Sequence, residues 1–252
     1  MQNRIFLKSP PDIQKMAEGG KKLAKVKKSL QEMISEGVSA AEVEKAAQKL
    51  IKEEGAEPSF MMVPGYKWAT CVNVNEGLVH GIPKPEIVFK KGDVVSVDVG
   101  LFYEGFHTDT SFSLGIGVDK DTEKFLKTGE EALKKAIAEA REGNYIFDIS
   151  KTIEKSVSEA GYTPIKALVG HGVGRVLHEG PQIPCFTAGD REKSPKIQPG
   201  MVLAIEVMYA QGSDEVEIGK DGWTISVADG KIAALYEETV AVSSHGPLVL
   251  TG

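Results

Sequence analysis

Cysteine is scarce in this 252-residue chain, which has only Cys71 and Cys185. Two thiols make neither a disulfide framework nor a four-cysteine zinc site, so a reducing compartment is expected, the cytoplasm. Long apolar runs are missing as well. Stretches such as residues 201–205 fall far short of the roughly 20 residues that span a bilayer, so no membrane partner is expected. Residues 1–6 lack the apolar centre of a secretory signal. Positive charge is in deficit: 30 Lys and Arg stand against 36 Asp and Glu, a net charge of −6. That excludes a protein holding nucleic acid through a broad basic surface. The remaining composition, 41% hydrophobic and 26% charged, is that of an ordinary globular protein. A chain of this length buries about 70–75% of its unfolded surface without staples.

Helical periodicity opens the chain. Ser9 caps a first helix with prolines in its first turn, apolar residues recur from Ile13 to Ile34, and Gly37 ends it. Ser39 and Glu42 form a capping box for a second helix that stops at Gly55. Strand-like segments run to about Leu114. A third helix is expected over 122–141 with Asp121 as its cap, and a fourth over 147–160 ending at Gly161. Strands fill the rest, with Asp229-Gly230 as a tight hairpin turn. The order helix, helix, strands therefore occurs twice. Gly-Asp-Val-Val-Ser-Val-Asp at 92–98 and Gly-Met-Val-Leu-Ala-Ile-Glu at 200–206 each place an acid six residues after a glycine. This reads as a duplicated α/β unit, with halves of about 9–115 and 120–242 and a site at their junction.

Several acids interrupt strands that should be buried. Asp98 lies within Val-Val-Ser-Val-Asp-Val, where a lone ionised carboxylate costs several kcal/mol. A second strand carries Asp109, and Tyr103-Glu104-Gly105 between them is a turn candidate. A hairpin centred on 103 and 104 sets Asp98 directly opposite Asp109. Two such carboxylates repel by roughly 4 kcal/mol at an effective dielectric near 20, and a divalent cation between them reverses the sign. Glu206 and Glu237 interrupt apolar strands in the same way, and those strands supply no Lys or Arg to pair with them. His171 and His178 bracket glycines in the 170–181 segment, and His80 lies in Leu-Val-His-Gly-Ile-Pro. Glycines there let backbone approach a site closely. Four carboxylates and one imidazole balance two divalent cations. Such a donor set suits Mn, Fe(II), Co or Zn rather than thiolate-loving metals. Paired ions of this kind activate water for hydrolysis.

With these motifs in view, the chain resembles the type I methionine aminopeptidases of the pita-bread metallopeptidase family M24, over nearly its whole length. The motifs are Ser-Val-Asp-Val-Gly at 96–100, Phe-His-Thr-Asp-Thr at 106–110, Gly-His-Gly-Val-Gly at 170–174, Ala-Ile-Glu-Val-Met at 204–208 and Tyr-Glu-Glu-Thr at 236–239. The resemblance implies an α/β (α+β) pita-bread fold, a pseudo-twofold duplicated unit around a central antiparallel sheet, forming one catalytic domain over 1–252. It implies metal ligands Asp98, Asp109, His171, Glu206 and Glu237, with Glu237 rather than Glu238 at the fifth position. Asp98 would serve one ion, His171 and Glu206 the other, with Asp109 and Glu237 bridging. Glu206 would shuttle the proton, and His80 and His178 would contact substrate and assist catalysis. Tyr66, Cys71, Leu177 and Trp223 would line the pocket for the methionine side chain. Departures from the family pattern are Val207 after Glu206, Leu177 before His178, Val63 near the pocket and Glu238 beside Glu237.

The substrate implied is a peptide or nascent polypeptide with N-terminal Met. The protein is expected to be a ribosome-associated monomer of the short bacterial form. Two other readings share the fold. A Xaa-Pro aminopeptidase or prolidase usually carries a further N-terminal domain, and a non-catalytic binding protein would have lost ligands.

Overall fold

The computed structural model describes residues 4–252; positions 1–3, part of the segment read for a signal, lie outside the described residues. Helices α1 (Pro10–Met33) and α2 (Ala40–Glu53) both begin at the expected capping boxes. In each, the serine hydroxyl accepts from the backbone N–H three residues on, and that acid's carboxylate accepts from the serine N–H. Helix α3 (Lys120–Ala138) corrects the expectation of 122–141. Asp119, not Asp121, is its cap, because the Asp119 carboxylate reaches Thr122 N at 2.8 Å. Asp121 stands two residues further in, within the first turn, where its charge meets the positive end of the helix. Helix α4 (Ile146–Glu159) starts one residue early, held by Asp148 accepting from Tyr145 N.

The strands of the first half are β1 (Glu57–Pro58), β2 (Thr70–Val74), β3 (Gly77–Val79), β4 (Val94–Tyr103) and β5 (Phe106–Gly115). Those after α4 are β6 (Thr163–Pro164), β7 (Val169–Gly172), β8 (Glu179–Pro184), β9 (Val202–Ala210), β10 (Val216–Ile218), β11 (Ile225–Val227), β12 (Ala233–Ser243) and β13 (Gly246–Val249). The main sheet runs β1-β4-β5-β12-β9-β7-β8, with β2 on β4, β6 on β9 and β13 on β12, and its ladders are antiparallel. Strands β10, β11 and β3 form a second, small sheet. Asp229-Gly230 therefore makes no hairpin. It turns the chain from the small sheet into β12.

The duplication is visible in the ladders. Strand β1 meets β4 at Phe102, and β6 meets β9 at Ala210, each four residues beyond Asp98 or Glu206. The halves join through β5 and β12 at the centre. Helix α1 packs on β4 and β5, and α3 on β9 and β12. Odd-numbered residues of β4 and β9 face these helices. Val95, Val97 and Val99 pack with Leu23, Leu30 and Ile51, while Leu203, Ile205 and Val207 pack with Phe125, Ile149 and Ile153. Each such side chain contributes about 1.5–3 kcal/mol by leaving water. The even-numbered residues of β4 and β9, Asp98 and Glu206 among them, are thereby turned to the other face.

One register expectation is overturned. Asp98 pairs with Ser111, and Asp109 with Gly100. The hairpin turns on Glu104 and Gly105, with φ of 47° and 87°. A two-residue loop with both central residues left-handed matches the twist of the flanking strands. Glycine takes that conformation freely and glutamate seldom does, so Gly105 sets the turn and carries Glu104 with it. Asp98 and Asp109 become diagonal neighbours on one face instead of direct opposites.

Candidate metal centre

The ladder registers assemble the acids into two neighbouring rows across the sheet. One row runs Cys71, Asp98, Ser111, Glu237, Glu206 over β2, β4, β5, β12 and β9. The next begins at His171, paired with Ala204, which pairs in turn with Thr239. Asp109 and Gly100 complete it from β5 and β4. Directly paired residues of antiparallel strands point the same way, so all five predicted ligands share one face. Gly100 is needed opposite Asp109, since a Cβ there would come within 2.8 Å of the Phe60 ring.

Side-chain geometry follows from these rows. Ligand atoms of Asp109, His171 and Glu237 lie within 4.8 Å of one another, and His171 Nε2 is 3.6 Å from Glu206 Oε1. The Asp98 carboxyl group adjoins that of Asp109 and adds to the repulsion on it. Asp109, His171 and Glu237 are buried, whereas Asp98 and Glu206 are half-buried. Asp98 Oδ1 and Glu237 Oε1 are buried without a hydrogen-bond partner. Burial pushes all four carboxyl groups above their usual range, with mutual repulsion adding for Asp109, Glu206 and Glu237. Burial lowers His171 to about 3, so the ring is neutral. Its Nδ1 lies 2.8 Å from Gly172 O, and a carbonyl only accepts. The proton is therefore on Nδ1 and the Nε2 lone pair faces the acids, the tautomer of a metal-ligating histidine. Orphaned oxygens, an imidazole lone pair and crowded carboxylates are the donor set a divalent ion satisfies.

Glu238 lies on the opposite face. It pairs with Lys27 at 2.6 Å and accepts from the Thr251 hydroxyl. The alternation of β12 thus separates a cluster acid from a structural one.

Above the acids opens a cavity of about 570 Å³. Every site residue read from the sequence lines it: the four acids and the His171 imidazole, His80, His178, Tyr66, Cys71, Leu177 and Trp223. Phe60, Val79, Leu168, Gln182 and Met208 line it too and were not singled out. Met208 was legible, being two residues past Glu206 on the same strand. Val63 also lines the cavity, but Val207 faces the α3–α4 core. Of the departures noted, Leu177 and Val63 bear on the pocket and Val207 does not.

The apolar wall is braced from behind. The buried Glu44 carboxylate of α2 accepts from Ala69 N, Thr70 N and the Thr70 hydroxyl at 2.6–2.9 Å. The Tyr66 hydroxyl donates to Thr70 O at 2.8 Å, and its ring meets Trp68 and Trp223 edge-on at 5.2 and 5.1 Å. His80 follows β3 with φ of 57°, a left-handed conformation rare outside glycine. Gly81 seats it, because a Cβ there would lie 2.2 Å from Val72 O. His178 stands at the exposed rim with its ring 4.5 Å from that of His171. Its loop is tied by Glu179, which accepts from Arg175 N at 2.8 Å and pairs with the buried Lys8.

Comparison with known proteins agrees. The model of metallopeptidase family M24 matches residues 14–244. The methionine aminopeptidase of Clostridium perfringens is 39% identical over 248 residues, covering 98% of each chain. A solved structure of methionine aminopeptidase from Thermotoga maritima matches with a TM-score of 0.95 at 38% identity, over 98% of this chain and 99% of that one. Prolidase from Pyrococcus horikoshii shares the fold, with a TM-score of 0.78 at 23% identity, and is covered over 63% of its length. Divalent metal use is general to these peptidases. With its duplicated antiparallel pita-bread fold and its row of acids at the junction of the halves, this chain belongs to metallopeptidase family M24.

Proposed function

We infer that this chain is a methionine aminopeptidase, removing the N-terminal methionine from peptides and nascent polypeptides. The observation that carries the reading is the placement of five ligand-type side chains beneath an apolar cavity walled by Tyr66, Cys71, Leu177 and Trp223. We read the whole chain as one catalytic domain, a cytoplasmic monomer that meets nascent chains at the ribosome. No helix among the described residues is long and apolar enough to cross a membrane. Asp98, Asp109, His171, Glu206 and Glu237 would hold two divalent ions, drawn from Mn, Fe(II), Co or Zn. When bound, these would supply Lewis acidity and bring a water's pKa near neutrality.

The protein's own groups do the rest. The pocket takes an unbranched apolar side chain and excludes water from it. Glu206, half-open to the cavity, carries the proton from the attacking water to the leaving amine. His178 donates a hydrogen bond to the carbonyl oxygen as charge develops there, and His80 contacts the scissile amide nitrogen. Partial desolvation at the cavity lowers both histidines below the usual imidazole range, so they are neutral at pH 7 and keep an N–H to give.

Met-Ala-Ser and Ala-Pro-Ala separate the readings. Free methionine is released from the first peptide and nothing from the second. A chelator abolishes that release, and added Mn(II) or Co(II) restores it. Cleavage of Ala-Pro-Ala alone would assign the chain to the prolidase-like peptidases, and metal-free protein inert on both would mark a binding module. His178→Ala lowers kcat by roughly 10²–10³-fold, the worth of one oxyanion donor, with KM near wild type. A raised KM with unchanged kcat would refute its transition-state role.

A further inference from the structure

Strand β12 changes neighbours in its middle. Glu237 and Glu238 pair with Ser111 and Thr110 of β5, whereas from Val240 to Ser243 its partner is β13. Thr239 sits at that fork. Its N–H donates to the Thr251 hydroxyl at 2.9 Å and its carbonyl accepts from Leu250 N–H at 2.8 Å, so its main chain has gone over to the C-terminal segment. Continuing the β5 register by one step sets Thr239 opposite Asp109. The Asp109 main chain, facing the fork, is served by a side chain instead. The Thr239 hydroxyl accepts from Asp109 N at 2.9 Å and donates to Asp109 O at 2.7 Å. Its single proton is committed to the Asp109 carbonyl. Thr239 is 0% exposed and Asp109 4%, so bulk water does not substitute.

We propose that Thr239 is a positioning residue of the metal centre, whose hydroxyl holds the Asp109 main chain where the ladder parts and thereby aims the Asp109 carboxylate. The inference rests on the metal-centre reading above. The physical reason is that a buried N–H and C=O left unpaired seek other partners, and β5 would shift to find them. Asp109 lies within 4.8 Å of the His171 and Glu237 ligand atoms, so a displacement there reaches the whole donor set. Valine has nearly the shape of threonine and neither donor nor acceptor, while serine keeps both.

Wild type, Thr239→Val and Thr239→Ser, each stripped by chelator, are titrated with Mn(II) alone in a calorimeter, and their Co(II) absorption spectra are recorded. Loss of an outer partner of a ligand weakens metal binding by roughly 10–100-fold, the result expected for Thr239→Val together with an altered Co(II) spectrum; Thr239→Ser stays within about threefold of wild type. Wild-type affinity in Thr239→Val overturns the proposal, as does Thr239→Ser behaving like Thr239→Val. A purely structural role would lower the melting temperature of the metal-free protein and leave Mn(II) affinity alone. If Thr239→Val does not fold, Thr239→Ala replaces it in the same titration with the same two outcomes. Wild type that binds no Mn(II) would instead remove the metal-centre reading and this inference with it.

Discussion

Exchanging Glu206 for glutamine lowers kcat for methionine release from Met-Ala-Ser by roughly 10²–10⁴-fold, the range a positioned general acid–base supplies. The reason is local. Glu206 is open to the cavity, stands 3.6 Å from His171 Nε2 and pairs across the ladder with Glu237. Glutamine keeps the shape and an oxygen but carries no exchangeable carboxyl proton. The fold and KM should therefore survive while the proton relay fails. Steady-state kinetics with metal content measured in parallel decides it. A variant with full metal and wild-type kcat would show that some other group moves the proton.

Asp109→Ala is the second large effect, and it has two opposite signs. Metal binding weakens to the loss of at least one ion, and activity falls with it, because the variant lacks an acid whose ligand atom lies within 4.8 Å of those of both His171 and Glu237. The metal-free protein should nonetheless melt at or above metal-free wild type. Asp109 is pushed up by burial first, then by Asp98 and Glu206, and a carboxylate pair about 4 Å apart repels by roughly 4 kcal/mol at an effective dielectric of 20. Removing one partner relieves that repulsion and offsets the small cavity left behind. Wild type regains stability on loading, about 2.7 kcal/mol at a metal concentration 100 times Kd, and the variant regains less. Melting curves with and without Mn(II) read both signs. An active variant with the wild-type gain on Mn(II) would remove Asp109 from the centre.

The hairpin between β4 and β5 shows how far local pattern reaches. Both strands, both acids and a turn near Glu104 are legible from β-branched runs and a glycine. The register is not, since moving the turn centre by one residue makes Asp98 pair with Ser111 instead of Asp109. That choice belongs to the left-handed Glu104-Gly105 pair and the packing of Val97 and Val99 on α1 and α2. The third helix teaches the same lesson at smaller scale. By sequence the cap falls at Asp121, and only the reach of the Asp119 carboxylate to Thr122 N sets the helix start earlier.

Sequence alone determined the helices, the repeated unit, the excess of unpartnered acids in apolar strands and the residue types fit to hold a divalent ion. These are local properties of hydrophobic period, capping chemistry and the cost of burying charge. Tertiary structure decided which acids meet. The ladders bring residues over a hundred positions apart into two rows, set Glu237 toward the cavity and Glu238 toward Lys27, and give Thr239 the backbone of Asp109 to hold. Strand pairing between distant segments is fixed by packing and register together, and no window of adjacent residues contains either.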